Sequence, residues 1–139
     1  MLRVVLDTNV LIAARRSRTG ASNALLRALD ERKFVLLASV PLFLEYEAVL
    51  FRAEHLLASR LTERQVAGFL NYLAGLVTPV KLRYLWRPQL NDVADEMVLE
   101  TAINGRANGI VTFNIRHFAP ASRFGIDVIY PADAIRSVL

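Results

Sequence analysis

Short branched-aliphatic runs recur along the chain, each stopped by a polar residue or proline and followed by a stretch with helical spacing. Leu2 to Leu6 ends at Asp7 and predicts a buried strand, and Asn9 to Arg15 then suits a short helix. Ser22 predicts the cap of a second helix, with Leu25, Leu26 and Leu29 on one side and Arg27, Glu31 and Arg32 largely on the other. Phe34 to Ala38 predicts the next strand, stopped by Ser39 and Pro41. Pro41 suits a helix start, after which Leu42, Leu44, Val49 and Leu50 keep helical spacing and Glu45 falls in the first or second turn. Thr62 predicts a further cap, with Val66, Phe69, Leu70 and Leu73 behind it. Val80 to Leu85 reads as a strand. Asn91 and Asp92 predict the start of a helix running to about Asn104 and Gly105, its inward face carrying Val98, Leu99, Ala102 and Ile103. Ile110 to Thr112 and Val128 to Tyr130 predict two more strands, and a terminal helix follows Pro131.

Strands alternating with helices predict an α/β fold with a central, mainly parallel sheet covered on both faces. The chain has 139 residues, 54% of them hydrophobic, and no repeat or linker, so residues 1–139 are expected to form a single domain around one core. The absence of Cys excludes a disulfide scaffold, a thiol nucleophile and any Cys-ligated metal. The uncharged apolar stretches Val35 to Leu44 and Phe69 to Val80 fall short of the ~20 residues that span a bilayer, so no membrane partner is expected. Asp7 interrupts the apolar N-terminus before a signal peptide could form, and the expected location is cytoplasmic. The net charge of +4 comes with 15 Arg and 2 Lys. Arg is the better fork for phosphate, although an Arg bias also follows from genome composition.

In open α/β sheets, sites lie beyond the carboxyl ends of the strands. There the chain places Asp7 with Thr8 and Asn9, Ser39 with Glu45 on the departing helix, and Thr112, Phe113 and Asn114; Asp92, Asp95 and Glu96 open the long helix and share a side of its first turn. Taken singly, each acid reads as an ordinary helix cap, and Asp92 with Asp95 resembles a capping box. Taken together, they need a counter-charge, because carboxylates ~4 Å apart repel by about 4 kcal/mol at an effective dielectric near 20. A hard cation such as Mg²⁺ or Mn²⁺ prefers this oxygen set, whereas His55 and His117 are the only histidines a zinc site could use.

Val4-Val5-Leu6-Asp7-Thr8-Asn9-Val10-Leu11, Ser39 with Glu45-Tyr46, Asp92-Val-Ala-Asp95-Glu96, and Val111-Thr112-Phe113-Asn114 with His117-Phe118, in this order over nearly the whole chain, resemble the PIN domain family. The similarity is greatest to its compact prokaryotic members, which include VapC-like toxins of toxin–antitoxin pairs. The resemblance implies a three-layer α/β/α sandwich and a metal-dependent endoribonuclease that cleaves single-stranded RNA without a covalent nucleophile. Carried over, Asp7, Glu45 and Asp95 match the catalytic acids that hold Mg²⁺ or Mn²⁺. Asn9, Thr112 and Asp92 match supporting residues. Asn114 stands where many members carry Asp, and its neutral amide bears on a second metal more than on cleavage. A toxin of this kind implies RNA as substrate, a cognate antitoxin protein and a homodimer.

Arg15 and Arg16, with Arg18 beside them, and Arg116 and His117 are candidate RNA contacts; each also reads as plain surface. Tyr46 could stack on a base or pack in the core, and Trp86 with Arg83 and Arg87 could bind a partner or pack. Leu42, Leu44, Val66, Phe69 and Leu73 are expected in the core or an interface, and His55 on the surface without a partner. Two other functions fit parts of the pattern. A phosphatase of the haloacid dehalogenase kind also uses a strand-end Asp, but expects a second Asp where Asn9 stands; a non-catalytic RNA- or protein-binding module would need no intact site. If Asp7, Glu45, Asp92 and Asp95 share one crevice, nine acids remain against 17 bases, leaving a basic shell around an acidic pit that suits a polyanionic substrate.

Overall fold

The computed structural model describes residues 1–85 and 87–139 of the chain, so the expectation for Trp86 lies outside the described residues. Its centre is made by aliphatic runs too short and too apolar to face water on either side. Strands β1 (Arg3–Leu6) and β2 (Val35–Ala38) are buried after their first residue, and β4 (Gly109–Val111) is buried throughout. Unbroken burial rather than alternation marks parallel strands covered on both faces. With β3 (Thr78–Pro79) and β5 (Asp127–Ile129) they form a five-stranded, all-parallel sheet in the order β3-β2-β1-β4-β5, in which Val4 pairs with Leu36 and Leu6 with Val111. Gly109 lets β4 and β5 pack closely, since a Cβ there would lie 2.7 Å from Ile129 Cδ1 and 3.2 Å from Asp127 O and would displace the Ile129 side chain.

The strand expected over Val80 to Leu85 is displaced towards the N-terminus. Pairing falls on Thr78 and Pro79, and Pro79, which has no N–H to give, suits the sheet edge it occupies. Past Val80 the ladder is replaced by one side chain. Asn104 Oδ1 accepts from the backbone N–H groups of Arg83 (2.8 Å) and Tyr84 (3.0 Å), and its Nδ2 donates to Tyr84 O (2.9 Å).

Helices α1 (Thr8–Arg16), α2 (Ala21–Asp30), α3 (Val40–Leu50), α5 (Glu63–Leu76), α6 (Val93–Asn104) and α7 (Pro131–Val138) follow the expected order. Asp7, Ser39, Thr62 and Asp92 each cap a helix with their side chains, and Thr62 and Gln65 form a full capping box. Two cap expectations are corrected. Ser22 is buried inside the first turn of α2, and Gly20 takes the cap position without a side-chain bond. Asp92 accepts from the Ala94 N–H at 2.8 Å, leaving no capping box with Asp95. A short helix α4 (Ala53–Ser59) and 3₁₀ turns over Ile115–Phe124 were not foreseen; α4 buries none of its residues, so it lacks the apolar face that would announce it.

Helix α2 packs against α1 and α7, while α6 lies along β1, β2 and β4 and meets α3 and the 3₁₀ turns. The result is a three-layer sandwich. Leu42, Val66 and Leu73 lie in the core and Phe69 packs against it, but Leu44 is 57% exposed, on the side of α3 opposite its buried residues Leu42, Tyr46, Val49 and Leu50. Among the described residues no helix is long and apolar enough to cross a membrane.

Candidate active site

Asp7 is the last residue of the β1 run and the cap of α1, and both facts fix its carboxylate. Its backbone N–H donates to Val111 O at 2.9 Å, locking it to β4. Its Oδ1 accepts from the Thr8 N–H at 2.8 Å and its Oδ2 from the Thr112 hydroxyl at 2.7 Å. The Thr112 hydroxyl in turn accepts from the Asn114 N–H at 3.0 Å. Desolvation dominates nonetheless: at 7% exposure the Asp7 carboxyl is pushed above the usual carboxylate range, against the opposing pull of Thr112, Thr8 and His117. Tyr46 reaches the same strand end from α3. Fully buried, it donates its hydroxyl to Leu6 O, and burial together with the Asp7 charge keeps that hydroxyl protonated. Packing, not base stacking, is thus its place.

Asp95 is raised further, to about 6, first by desolvation and then by the charges of Asp7 and Asp92. The relief it receives comes from His117, whose Nδ1 lies 3.5 Å from Asp95 Oδ2. Asp92, Asp95, Arg116 and His117 line a cleft of about 690 Å³, closed along one side by Gln89 and Leu90. Acids from two distant parts of the chain therefore meet electrostatically beyond the carboxyl ends of β1 and β4, with a basic wall opposite them.

Not every expected residue joins them. Glu96 is buried on the other side of the α6 turn, where its Oε1 accepts from the Gln89 (2.7 Å) and Leu90 (2.8 Å) N–H groups, so the acidic trio expected of this turn is a pair. Glu45 lies half-buried in the second turn of α3, beside Tyr46, and is not among the charges acting on Asp7 or Asp95. Asn114 is exposed and opens the 3₁₀ turns without a side-chain bond. Arg15 and Arg16 stand away from the cleft: the Arg15 guanidinium lies 4.3 Å over the Phe69 ring, and Arg16 approaches His55 Nδ1 at 2.6 Å. An aromatic face and an imidazole are thus the partners the fold gives these two arginines, and His55 has the partner it was expected to lack. An ion pair between a buried carboxylate and a largely exposed arginine was missed. Glu100, 1% exposed, is gripped by Arg87 through Nε and Nη2, the latter at 3.1 Å from Oε2. Its signal was present, since Glu96 and Glu100 are four residues apart on one helix.

Among the described residues no three His, Asp or Glu side chains are grouped to hold a metal. The donor set still suits a hard cation. Asp7 and Asp95 are carboxylates whose negative forms lack a counter-charge, and Asn9 Oδ1 is buried without a hydrogen-bond partner. Mg²⁺ is commonly held by one or two carboxylates, with water and substrate phosphate completing its shell.

A protein-family model described as PIN domain matches residues 3–116, a span that includes every one of these acids. No curated protein matches the chain.

Proposed function

The chain belongs to the PIN domain family, whose members are generally nucleases that use divalent metals, and from that premise we propose that it is a Mg²⁺- or Mn²⁺-dependent endoribonuclease acting on single-stranded RNA. The observation that carries the reading is Asp95, held near a pKa of about 6 beside Asp7 and Asp92 in a cleft with Arg116 and His117 on its wall. Such a cluster is costly for a fold to maintain without a cation to neutralise it.

Asp7 and Asp95 would hold the metal, with the Asn9 amide oxygen beside them and Glu45 as the third acid. The cation would supply charge neutralisation and Lewis acidity at the scissile phosphate. The remaining work falls to the chain. Thr112 fixes the Asp7 carboxylate by donating its hydroxyl to Oδ2. Arg116 and His117 would bind phosphate oxygens and set the strand's path. Asp95, whose Oδ2 lies 3.5 Å from His117 Nδ1, or Glu45 would take up the proton released as water attacks the phosphate.

Purified protein incubated with single-stranded RNA should yield fragments with Mg²⁺ or Mn²⁺ and none with EDTA. RNA left intact in both metals overturns the reading, and phosphate release from a chromogenic ester would favour a phosphatase instead. As a compact member of the family, the protein is further proposed to be the toxin of a toxin–antitoxin pair, acting in the cytoplasm. Expression should then arrest growth, relieved by the product of a neighbouring small reading frame. Leu57 and Leu44, 82% and 57% exposed, offer apolar surface for that antitoxin or for a second copy.

A further inference from the structure

The turn leaving β4 sends three consecutive residues to three places. Thr112 turns in to Asp7, Asn114 opens the 3₁₀ turns, and Phe113 between them is 44% exposed. Tyr130 leaves the neighbouring β5 at the same level, since the Thr112 N–H donates to Ile129 O at 3.0 Å, and is 48% exposed. The two rings wall a cavity of about 490 Å³ on the side of the sheet where α1, α2 and α7 pack. Small residues, Ala13, Ser17 and Gly20, leave its opposite wall open.

Two polar features border this apolar space. Ser22 lines it at 4% exposure, and its hydroxyl has no hydrogen-bond partner. A buried hydroxyl left unpaired is destabilising and rare in a native fold, so a partner from outside is the simplest account of it. Beside it the ten-residue helix α2 begins at Gly20 with no side-chain cap, leaving its first N–H groups without side-chain acceptors. No unpaired cation lines the cavity among the described residues, because Arg136 is paired with Asp133. A phosphate would meet no free positive side chain there and would face the Asp133 carboxylate. A flat, largely apolar group with polar edges fits far better.

We propose that this cavity is a nucleobase subsite. One base of the RNA strand passing through the carboxylate cleft crosses the 112–114 turn, stacks on Phe113 and Tyr130, and offers its edge to the Ser22 hydroxyl and the open end of α2. The proposal rests on reading the cleft as an RNA site, but its test does not need cleavage.

Binding of a fluorescein-labelled single-stranded RNA hexamer is measured in EDTA by anisotropy, for the wild type and for Phe113→Ala, Tyr130→Ala, Tyr130→Trp and Ser22→Ala. Each aromatic-to-Ala change should weaken binding about tenfold, in line with base–aromatic stacking elsewhere, and Trp at 130 should retain it. Both rings are near half-exposed, so the fold should survive, and an unchanged Tm checks this. A hexamer made abasic at the contacted position should bind the wild type as weakly as the Ala variants bind the normal hexamer, with no further loss when the two are combined. Ser22→Ala should alter which base is preferred there. Ala variants that bind as the wild type does, losses that add to the abasic change, or no binding of the hexamer at all would each overturn the subsite. RNA that is bound with this pattern but never cut in metal overturns the nuclease reading and leaves the subsite standing.

Discussion

Glu100 and Asp95 leave the same helix five residues apart, Glu100 buried and Asp95 half-buried at the cleft, and only Glu100 is paired with a guanidinium. Glu100 is held by two Arg87 nitrogens, and the pair draws the Arg87 guanidinium still further towards its charged form. Glu96, one position on from Asp95, accepts from two backbone N–H groups at Oε1 and so ties down residues 89 and 90, while its buried Oε2 has no hydrogen-bond partner among the described residues and Arg87 is the positive charge nearby. Asp95 faces two other acids and one imidazole instead. Burial of a carboxylate alone therefore does not mark a site. What separates Glu100 from Asp95, the acid proposed to act at the site, is whether the protein itself supplies a positive partner, and on α6 the two lie little more than one turn apart.

The sharpest way to break this comparison is to remove each charge in turn and read activity and stability separately. Asp95→Asn or Asp7→Asn should lower RNA cleavage at least 10³-fold, a loss of about 4 kcal/mol in transition-state stabilisation, while the Tm of the metal-free protein holds or rises. Full activity in both variants would end the proposal that these acids hold the metal. Arg87→Ala should do the converse. It strands Glu100 at 1% exposure, and because the Arg87 side chain is itself 43% exposed the expected cost is about 2–3 kcal/mol, below the full range for a buried pair. Urea unfolding measures it, and cleavage per folded molecule should stay within about threefold.

Thr112→Val tests the boundary between the two kinds of acid, since Thr112 gives Asp7 the one side-chain hydrogen bond it has. The change leaves the Asn114 N–H without its acceptor and should cost about 1–2 kcal/mol. It also removes a bond that favours the charged form of Asp7, so half-maximal activity should need more metal. Unchanged metal dependence would mean that Asp7 is held well enough by Thr8 alone.

The sheet was legible because central parallel strands must be apolar throughout, and Leu2 to Leu6, Phe34 to Ala38 and Ile110 to Thr112 are within a residue or two of what is observed. Asp7 and Asp95 were legible as strand-end and helix-start acids, in an order shared with a known family. The failures have a common physical form: side chains taking over work that spacing assigns elsewhere. Asn104 satisfies the backbone where a strand was expected, Phe69 and His55 engage the arginines expected for phosphate, and two backbone amides draw Glu96 out of the acidic cluster. Such contacts join residues far apart in sequence, and periodicity carries no record of them. Glu45 stays an expectation of the family pattern, supported by its seat on α3 next to Tyr46 rather than by a contact with Asp7 or Asp95.

The smallest expected effect is also the one most specific to the comparison, because an acid held without a matching charge destabilises the fold as it ionises. Asp95 has an ordinary value of 3.8 and about 6 in the fold, so between those values the native state holds more proton than the unfolded chain. Where the native state binds the extra proton, stability falls as pH rises. In the absence of metal, Asp95 should therefore destabilise the protein above about pH 6 and release that strain on acidification towards pH 4. The observable is the Tm difference between Asp95→Asn and the wild type, which cancels every carboxylate the two share. It should be about 2–4 °C in favour of the variant at pH 7.5 and shrink towards zero near pH 4.5. Mg²⁺ should abolish the difference at the higher pH by supplying the missing charge to the wild type. A difference that stays flat across this range, or that grows on acidification, would mean that Asp95 is matched as Glu100 is, and that the division along α6 is wrong.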